Sequence, residues 1–93
     1  MYQLRKYHGD LVQSLTYSDE NQEFSVGIIA PGEYEFGAIK KEVTTVTLGA
    51  ISVWIEGNDY WKTYSKGETF EIPEHKNFKY KVETVSSYIC HYK

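Results

Sequence analysis

The stretch Lys66–Tyr80, with the sequence KGETFEIPEHKNFKY, decides the fold of this chain. Five residues separate Gly67 from Pro73, which is room for one short strand between a turn and a strand end. A glycine supplies the positive φ that a tight hairpin turn requires. A proline cannot donate to a β ladder, so we predict that the chain leaves the strand at Pro73 or runs along a sheet edge there.

Alternation of period two continues on the N-terminal side of this stretch. Within residues 42–57, EVTTVTLGAISVWIEG, β-branched and aromatic residues alternate between two faces. Turn signals such as Pro31-Gly32 and Gly57-Asn58-Asp59 recur about every ten residues, and no long stretch carries an apolar stripe of helical period. Many short strands with regular turns are typical of a sandwich or barrel. We therefore predict an all-β antiparallel barrel, with a single domain over residues 1–93.

Length and charge narrow the class of protein. A chain of 93 residues is the size of one domain, and such domains often pair with a second copy. A net charge of −3 provides no basic field for nucleic acid. The first residues lack a signal-peptide core, no apolar run approaches the about 20 residues that span a bilayer, and the single Cys90 cannot form an internal disulfide. These features predict a cytoplasmic homodimer with no nucleic-acid or membrane partner.

The spacing of the glycines resembles the first of two signatures of the cupins, a superfamily of small β-barrels. That signature has a glycine, five residues, His-x-His, a gap, a glutamate, six residues and a glycine. This chain has Gly27, then Glu33 and Glu35 in place of the histidines, and after a longer gap Glu42 and Gly49. The resemblance implies a cupin-type jelly roll.

The second cupin signature differs at its metal-binding position. The spacing from Gly67 to Pro73 is kept, but His75 occupies the place of a second glycine and Phe78 the place of the third histidine. Catalytic cupin metals prefer imidazole-rich ligand sets. The resemblance therefore implies that no metal is bound, and we predict activity that survives chelation. The alternative is a hard ion such as magnesium or calcium, held by the three glutamates of the first signature.

Four blocks together resemble one family of small cupins, the pyrimidine/purine nucleoside phosphorylases. The blocks are GEYEFG at residues 32–37, LGAISVWI at 48–55, YSKGETFEIPEHKNF at 64–78 and SSYICHY at 86–92. The family has similar blocks in the same order, and the likeness extends over about residues 8–92. It implies a transferase, more narrowly a glycosyltransferase, that cleaves nucleosides with phosphate to free base and ribose 1-phosphate. It also implies broad base tolerance, a homodimer, and no cofactor besides inorganic phosphate as co-substrate.

Carboxylates suit the oxocarbenium-like charge that phosphorolysis places on the ribose ring. Alternation sends Glu33 and Glu35 to one face of their strand, the face that the cupin histidine pair would occupy. We predict that both point into the barrel mouth and act as catalytic residues, the alternative being solvated charges at a strand end. Glu42 is predicted to contact the substrate. Tyr34 and Phe36, on the other face, are predicted to pack outward against a second subunit or a sheet.

Aromatic rings are the predicted contacts of the base. The chain has nine Tyr, four Phe and two Trp, and stacking on such rings tolerates any base. Phe78 is the first candidate, because the ligand position that it replaces faces the cavity, and Tyr80 and Tyr88 are predicted to join it. The alternative interpretation is that Phe78 fills the space of the absent metal as core packing.

Phosphate needs cationic or N–H donors. His75, beside the Pro73 turn, is the first candidate, and Lys40, Lys41 and His91 are the others. Cys90 has no obvious His/Asp partners and is interpreted as a buried small hydrophobe rather than a nucleophile. A different class of function stays open, namely a non-catalytic module that binds a sugar or nucleotide in the same cavity.

Overall fold

The computed structural model describes residues 2–93, so only Met1 of the predicted domain lies outside it. The regular structure of these residues consists of ten β-strands, and none of the described residues belongs to a helix able to cross a membrane. The strands are β1 (Tyr2–Tyr7), β2 (Val12–Ser18), β3 (Glu23–Ile29), β4 (Gly32–Gly37), β5 (Glu42–Leu48), β6 (Ala50–Ile55), β7 (Lys62–Ser65), β8 (Thr69–Ile72), β9 (Asn77–Val82) and β10 (Ser86–Tyr92).

The strands form two sheets that face each other. The larger has the order β1-β2-β3-β10-β5-β8, and the smaller has the order β4-β9-β6-β7. Every pair in both sheets is antiparallel. The prediction of an all-β antiparallel fold in one small domain is confirmed.

The core lies between the two sheets. Its largest fully buried side chains are those of Ile29, Ile51 and Ile72, each with 0% of its surface exposed. Along β8 the burial alternates strictly, with Phe70 and Ile72 inside and their neighbours outside, as the two-residue period of a strand requires.

The turns around β8 follow the sequence prediction. Gly67 has a φ of 89°, and β8 ends at Ile72, directly before Pro73. His75 adopts a φ of 64°, and its N–H donates to the carbonyl oxygen of Ala38 over 2.7 Å. A left-handed conformation costs a residue with a Cβ about 1–2 kcal/mol. The structure thus explains why related signatures carry a glycine where this chain has His75.

Strand β4 reverses the orientation that was predicted for its side chains. Tyr34 is 4% exposed and Phe36 packs against the core, whereas Glu33 and Glu35 are exposed on the opposite face. There the two glutamates stand directly opposite two lysines of β9. Burying two carboxylates costs free energy, whereas burying two aromatic rings is favourable. The predicted inward orientation of Glu33 and Glu35 is therefore wrong, and so is the predicted outward packing of Tyr34 and Phe36.

Strands β1, β2 and β3 place polar side chains on the inner face of the sheet. The register aligns Arg5, Ser14, Gly27 and Tyr88 in one row across β1, β2, β3 and β10, and Ser14 is only 5% exposed. Directly opposed residues share a face, so the whole row faces inward. The outer face instead exposes apolar side chains: Leu4, Leu15, Val26 and Ile28. This inverted polarity gives the sheet a polar wall on the side that faces a cavity.

Candidate active site

An open cavity of about 430 Å³ lies between the two sheets. Its volume falls in the range of small-molecule sites. The predicted substrate residues Phe78, Tyr80, Tyr88 and Glu42 all border it, although their contact with a substrate stays a prediction. The full lining is Tyr7, His8, Ser14, Glu35, Phe36, Gly37, Glu42, Phe78, Tyr80, Tyr88, Cys90 and Tyr92. We call this cavity the aromatic compartment.

Aromatic rings occupy the position that holds a metal ligand in cupins. The ring of Phe78 stacks on Phe36 with 5.4 Å between centroids and lies 5.2 Å from the ring of Tyr80. Phe78 is 3% exposed, whereas Phe36 is only partly buried. Phe78 therefore lies in the core, as its alternative interpretation proposes, and Phe36 offers the compartment more ring surface.

Glu42, the first residue of β5, places a carboxyl group inside the aromatic compartment. Its Oε1 accepts a hydrogen bond from Sγ of Cys90 over 3.6 Å. Burial raises the pKa of Glu42 from 4.5 to about 7, and the hydrogen bond from Cys90 offsets this only in part. Both protonation states are populated at neutral pH, which is the condition for a general acid or base.

Three tyrosines complete the wall around this carboxyl group. Burial is the largest cause that raises the pKa of Tyr80, Tyr88 and Tyr92 above the ordinary value, so their hydroxyls are neutral. The hydroxyl of Tyr92 shares a hydrogen bond of 2.9 Å with Oγ of Ser25. A Cβ added at Gly27 would overlap the ring of Tyr88. Only a glycine at position 27 leaves that ring its place.

Two more polar groups are buried nearby, and of these only Cys90 borders the compartment. Cys90 is 2% exposed, and burial, followed by the charge of Glu42, raises the pKa of its thiol to about 12. Its predicted place as a buried small residue is confirmed. Thr44 opposes Cys90 across the β5–β10 ladder, and its hydroxyl is the one buried side-chain polar atom in residues 2–93 with no hydrogen-bond partner.

The hairpin between β1 and β2 forms the rim of the compartment. His8 has a φ of 52°, and its Nε2 donates to the carbonyl oxygen of Glu35 over 3.2 Å. The rings of Tyr7 and His8 lie 5.9 Å and 5.3 Å from that of Phe36, both edge-on. A molecule that enters the compartment therefore passes an aromatic rim.

A second cavity of about 290 Å³ adjoins the first. The two share Tyr7, Gly37, Glu42 and Tyr92. The second cavity is lined by Arg5 and Lys40, whereas no Lys or Arg lines the first. Nζ of Lys40 lies 2.9 Å from Oε1 of Glu23, which borders the same space. We call this cavity, with its Arg5, Thr16, Glu23 and Lys40, the basic compartment.

Several predicted site residues lie outside these two compartments. Glu33 lines neither of them, and Glu35 borders the mouth of the aromatic compartment with an exposed side chain. The side chain of His75 is 76% exposed. His75, Lys41 and His91 line neither compartment. The catalytic role of Glu33 and Glu35 and the phosphate-binding role of His75 stay predictions.

Sequence reasoning misses four ring-bearing residues of the aromatic compartment: Tyr7, His8, Phe36 and Tyr92. Tyr92 carries a detectable signal, because it alternates in phase with Tyr88 and Cys90. Phe36 has the same kind of signal, but it was assigned to the wrong face. Tyr7 and His8 carry none, since the pairing of β1 with β2 brings them to the rim.

Comparison with known proteins decides the family. The family model for pyrimidine/purine nucleoside phosphorylase matches residues 2–92. The chain belongs to the pyrimidine/purine nucleoside phosphorylase family. Curated members with that name from Tolumonas auensis and Pseudomonas putida strain F1 are 39% and 38% identical to it over 93 residues. These alignments span all of this chain and 100% and 99% of the two relatives.

Solved structures confirm the fold of this phosphorylase family member. A Vibrio parahaemolyticus protein of unknown function superimposes with a TM-score of 0.94 at 35% identity, covering 100% of this chain and 99% of the other. An RmlC-like cupin from Shewanella frigidimarina gives a TM-score of 0.77 at 17% identity, covering 97% and 81%. The second likeness shows the fold alone. The predicted cupin-type barrel is confirmed.

This nucleoside phosphorylase family member lacks the ligand set of a metal-binding cupin. Within residues 2–93, no three His, Cys, Asp or Glu side chains converge on one point where an ion could be held. Glu33 lines neither compartment, the exposed Glu35 borders the mouth of the compartment that holds Glu42, and Phe78 offers no ligand atom. The residues therefore fit neither an imidazole-bound metal nor an ion held by the three glutamates. Survival of activity after chelation stays a prediction.

Proposed function

We propose that this chain cleaves purine and pyrimidine nucleosides with phosphate, releasing free base and ribose 1-phosphate, and that Glu42 is the general acid. One observation carries the proposal. In a chain of this family, a carboxyl group with a pKa of about 7 lies where an aromatic and a basic compartment meet. The reaction needs a ring to stack the base, a proton for the leaving group and a cationic place for phosphate.

The bond changes balance with Glu42 as the only proton carrier. An oxygen of hydrogenphosphate attacks the anomeric carbon while the bond from that carbon to the base nitrogen breaks. The electron pair leaves with the base, which takes the proton of Glu42. The carboxylate then recovers the proton that the sugar phosphate releases. No covalent intermediate is required, in keeping with a Cys90 thiol that burial keeps protonated.

Broad base tolerance follows from the way in which the base is held. Stacking on a ring needs no base-specific hydrogen bond, and the wall of the aromatic compartment is built mainly from rings. Phe36 and Tyr88 are only partly buried and offer ring surface to the compartment, whereas Tyr80 is 4% exposed. The predicted contacts of Phe78 are part of the same wall but come from a ring that is almost fully buried.

The direct test is release of free base from uridine and from adenosine, with and without inorganic phosphate. We expect release from both nucleosides only when phosphate is present, and the same rate after extensive chelation. Release without phosphate would mean hydrolysis, and loss of activity on chelation would mean a metal enzyme. A folded chain that binds nucleosides but releases no base would favour the non-catalytic binding module.

The homodimer that the resemblance implies is assigned to the outer face of the larger sheet. Leu4, Leu15, Val26 and Ile28 are each at least 42% exposed there, and Leu4, Leu15 and Val26 lie in one register row. No charged side chain borders the shallow groove between them. A second copy related by a two-fold axis can therefore cover this face without like-charge repulsion.

Sedimentation of the parent chain at micromolar concentration is expected to show a dimer, and that of Leu15→Lys a folded monomer. A charge in the middle of an apolar interface lacks a partner and is costly to bury. Gln22→Lys, which adds the same charge in an exposed turn, is the matched control and is expected to remain dimeric. A monomeric parent would contradict the dimer, and a dimeric Leu15→Lys would contradict this face.

A further inference from the structure

We propose that the basic compartment is the phosphate subsite, and that Glu23 within it selects hydrogenphosphate over sulfate. This inference rests on the proposed function and names the residues that hold its second substrate. It assigns phosphate to Arg5 and Lys40 rather than to His75.

The position of the basic compartment suits an attacking phosphate. The two compartments meet at Glu42 and Tyr92. A nucleoside whose base stacks in the aromatic compartment and whose leaving nitrogen is near Glu42 has its sugar at this junction. Phosphate held on the other side of the junction reaches the anomeric carbon without crossing the base. The placement therefore brings both substrates to one carbon atom.

The cations of the compartment have donors to spare. Arg5 has one contact to a side chain of its own strand, from Nη2 to Oε1 of Gln3 over 3.0 Å, and a guanidinium has five N–H donors. Lys40 directs its ammonium at Glu23 over 2.9 Å, and an ammonium has three donors. A dianion can engage the remaining donors of both residues through charge-assisted hydrogen bonds, which are the strong kind.

The inner face of β1, β2 and β3 supports such a ligand. Arg5 lies in the same inward row as the buried Ser14, and Thr16 stands on this face as well. The neighbouring Tyr92 is held in place by its hydrogen bond to Ser25. Ser14 and Ser25 are buried hydroxyls on this face, and burying hydroxyls costs free energy unless they are hydrogen-bonded. The exposed guanidinium of Arg5 beside them can meet a polar ligand.

Glu23 adds selectivity, because a carboxylate in an anion site repels any ligand that carries no proton. Hydrogenphosphate has one P–OH group at neutral pH, and this group can donate to Oε2 or Oε1 of Glu23 while the other oxygens face Lys40. Sulfate has no proton to donate, so its oxygens would face the carboxylate oxygens of Glu23. Both groups are acceptors, and they repel each other. The subsite is therefore expected to bind phosphate more tightly than sulfate, although the two ions are alike in size and shape.

Two readouts test the subsite, and one of them does not depend on activity. The first is binding of an inorganic anion to the folded chain, with and without free uracil. Phosphate binding is followed by ³¹P line broadening and by calorimetry, and sulfate binding by calorimetry. The second is the KM for phosphate at saturating uridine. In Arg5→Gln and Lys40→Gln, each of which removes a charge-assisted hydrogen bond, we expect the Kd and the KM for phosphate to rise at least about tenfold. The KM for uridine should stay near the parent value, and Lys40→Arg should restore most of the phosphate affinity.

Matched variants separate this subsite from the competing assignments. Lys41→Gln removes the adjacent lysine, which pairs with Glu71 over 2.7 Å outside the compartment, and is expected to leave the phosphate KM unchanged. Glu23→Gln should reduce the preference for phosphate over sulfate by at least about tenfold, since it removes the repulsion of sulfate. Arg5, Lys40 and Lys41 are exposed and Glu23 is partly buried, and thermal melts should confirm that each variant is folded.

The outcomes are distinguishable. Phosphorolysis with an unchanged phosphate KM in both Arg5→Gln and Lys40→Gln would overturn the subsite and leave the proposed function standing. So would a rise in the phosphate KM of His75→Gln alone. Phosphate binding that these two variants weaken, in a chain that releases no base, would support the subsite while the proposed function fails. A parent that binds sulfate as tightly as phosphate would overturn the role of Glu23.

Discussion

Glu42→Gln is expected to reduce phosphorolysis by about 10²- to 10⁴-fold, the usual contribution of a positioned general acid. Glutamine keeps the shape and the acceptor oxygen of the side chain but has no proton to transfer to the leaving base. The KM values for both substrates should change little. Glu71→Gln, an exposed glutamate of β8 that lines neither compartment, is the matched control.

The general-acid role also predicts the direction in which turnover changes with pH. The pKa of Glu42 is raised to about 7, and the acid acts only when protonated. Turnover at saturating phosphate should therefore fall as the pH rises through 7, and Glu42→Gln should lose that dependence. Turnover that rises through pH 7 would contradict the general-acid role. Loss of activity in Glu33→Gln or Glu35→Gln, with Glu42→Gln active, would instead support the catalytic roles predicted from the cupin histidine pair.

The same variant should raise the stability of the fold at high pH. A carboxyl with a raised folded-state pKa binds its proton more tightly in the folded chain than in the unfolded one. The parent therefore has its full stability from this group below pH 4.5 and loses it as the pH rises through about 7. The pKa shift limits this loss in the free energy of unfolding to about 3 kcal/mol. The loss is smaller than this limit because the cavity is open to water. In thermal melts, the melting temperature of Glu42→Gln relative to that of the parent should be higher at pH 8 than at pH 4.5.

Phe78→Ala is expected to destabilise the fold by about 3–5 kcal/mol. The ring is 3% exposed and packs on Phe36 and Tyr80, so its removal leaves a cavity where other cupins hold a metal. For a domain of this size, each kcal/mol lowers the melting temperature by about 4–8 °C. A melting temperature within a few degrees of the parent would show that the site collapses and fills the space.

Phe78→Leu separates packing from stacking. Leucine keeps part of the apolar volume, so this variant is expected to lose less stability than Phe78→Ala. If Phe78 is core packing, this variant binds nucleosides like the parent. Phe36→Leu, which removes the more accessible ring, should then weaken purine and pyrimidine nucleosides alike by about 1–3 kcal/mol. Weak binding in Phe78→Leu with normal binding in Phe36→Leu would return the stacking role to Phe78.

The fold was predictable because its signals are local. Gly67 and Pro73 mark the ends of a short strand through their own backbone restrictions, and the period of two identifies strands without reference to their partners. The family was predictable because its blocks keep their order and spacing over the whole chain. Glu42 also appears in the sequence, as the glutamate that six residues separate from Gly49.

The orientation of β4 was not predictable in the same way. Alternation places Glu33 with Glu35 and Tyr34 with Phe36, but it does not state which pair faces inward. By analogy with the cupin histidine pair, the glutamates were predicted to face inward. In the structure the rings face inward, because burying charge is costly. The pairing of β1 at the end of the larger sheet is also a long-range event, so nothing near Arg5 in the sequence announces that it borders a cavity with Lys40.

The single thiol of this chain is a built-in reporter of unfolding. Cys90 is 2% exposed, and its pKa of about 12 keeps it almost entirely protonated at neutral pH. Alkylating reagents attack the thiolate, so the folded chain should resist them and the opened chain should react. Because the thiol lies against Glu42 and borders the aromatic compartment, the labelling rate measures how often that part of the barrel opens. A ligand that slows the labelling would show its binding energy without any assay of turnover.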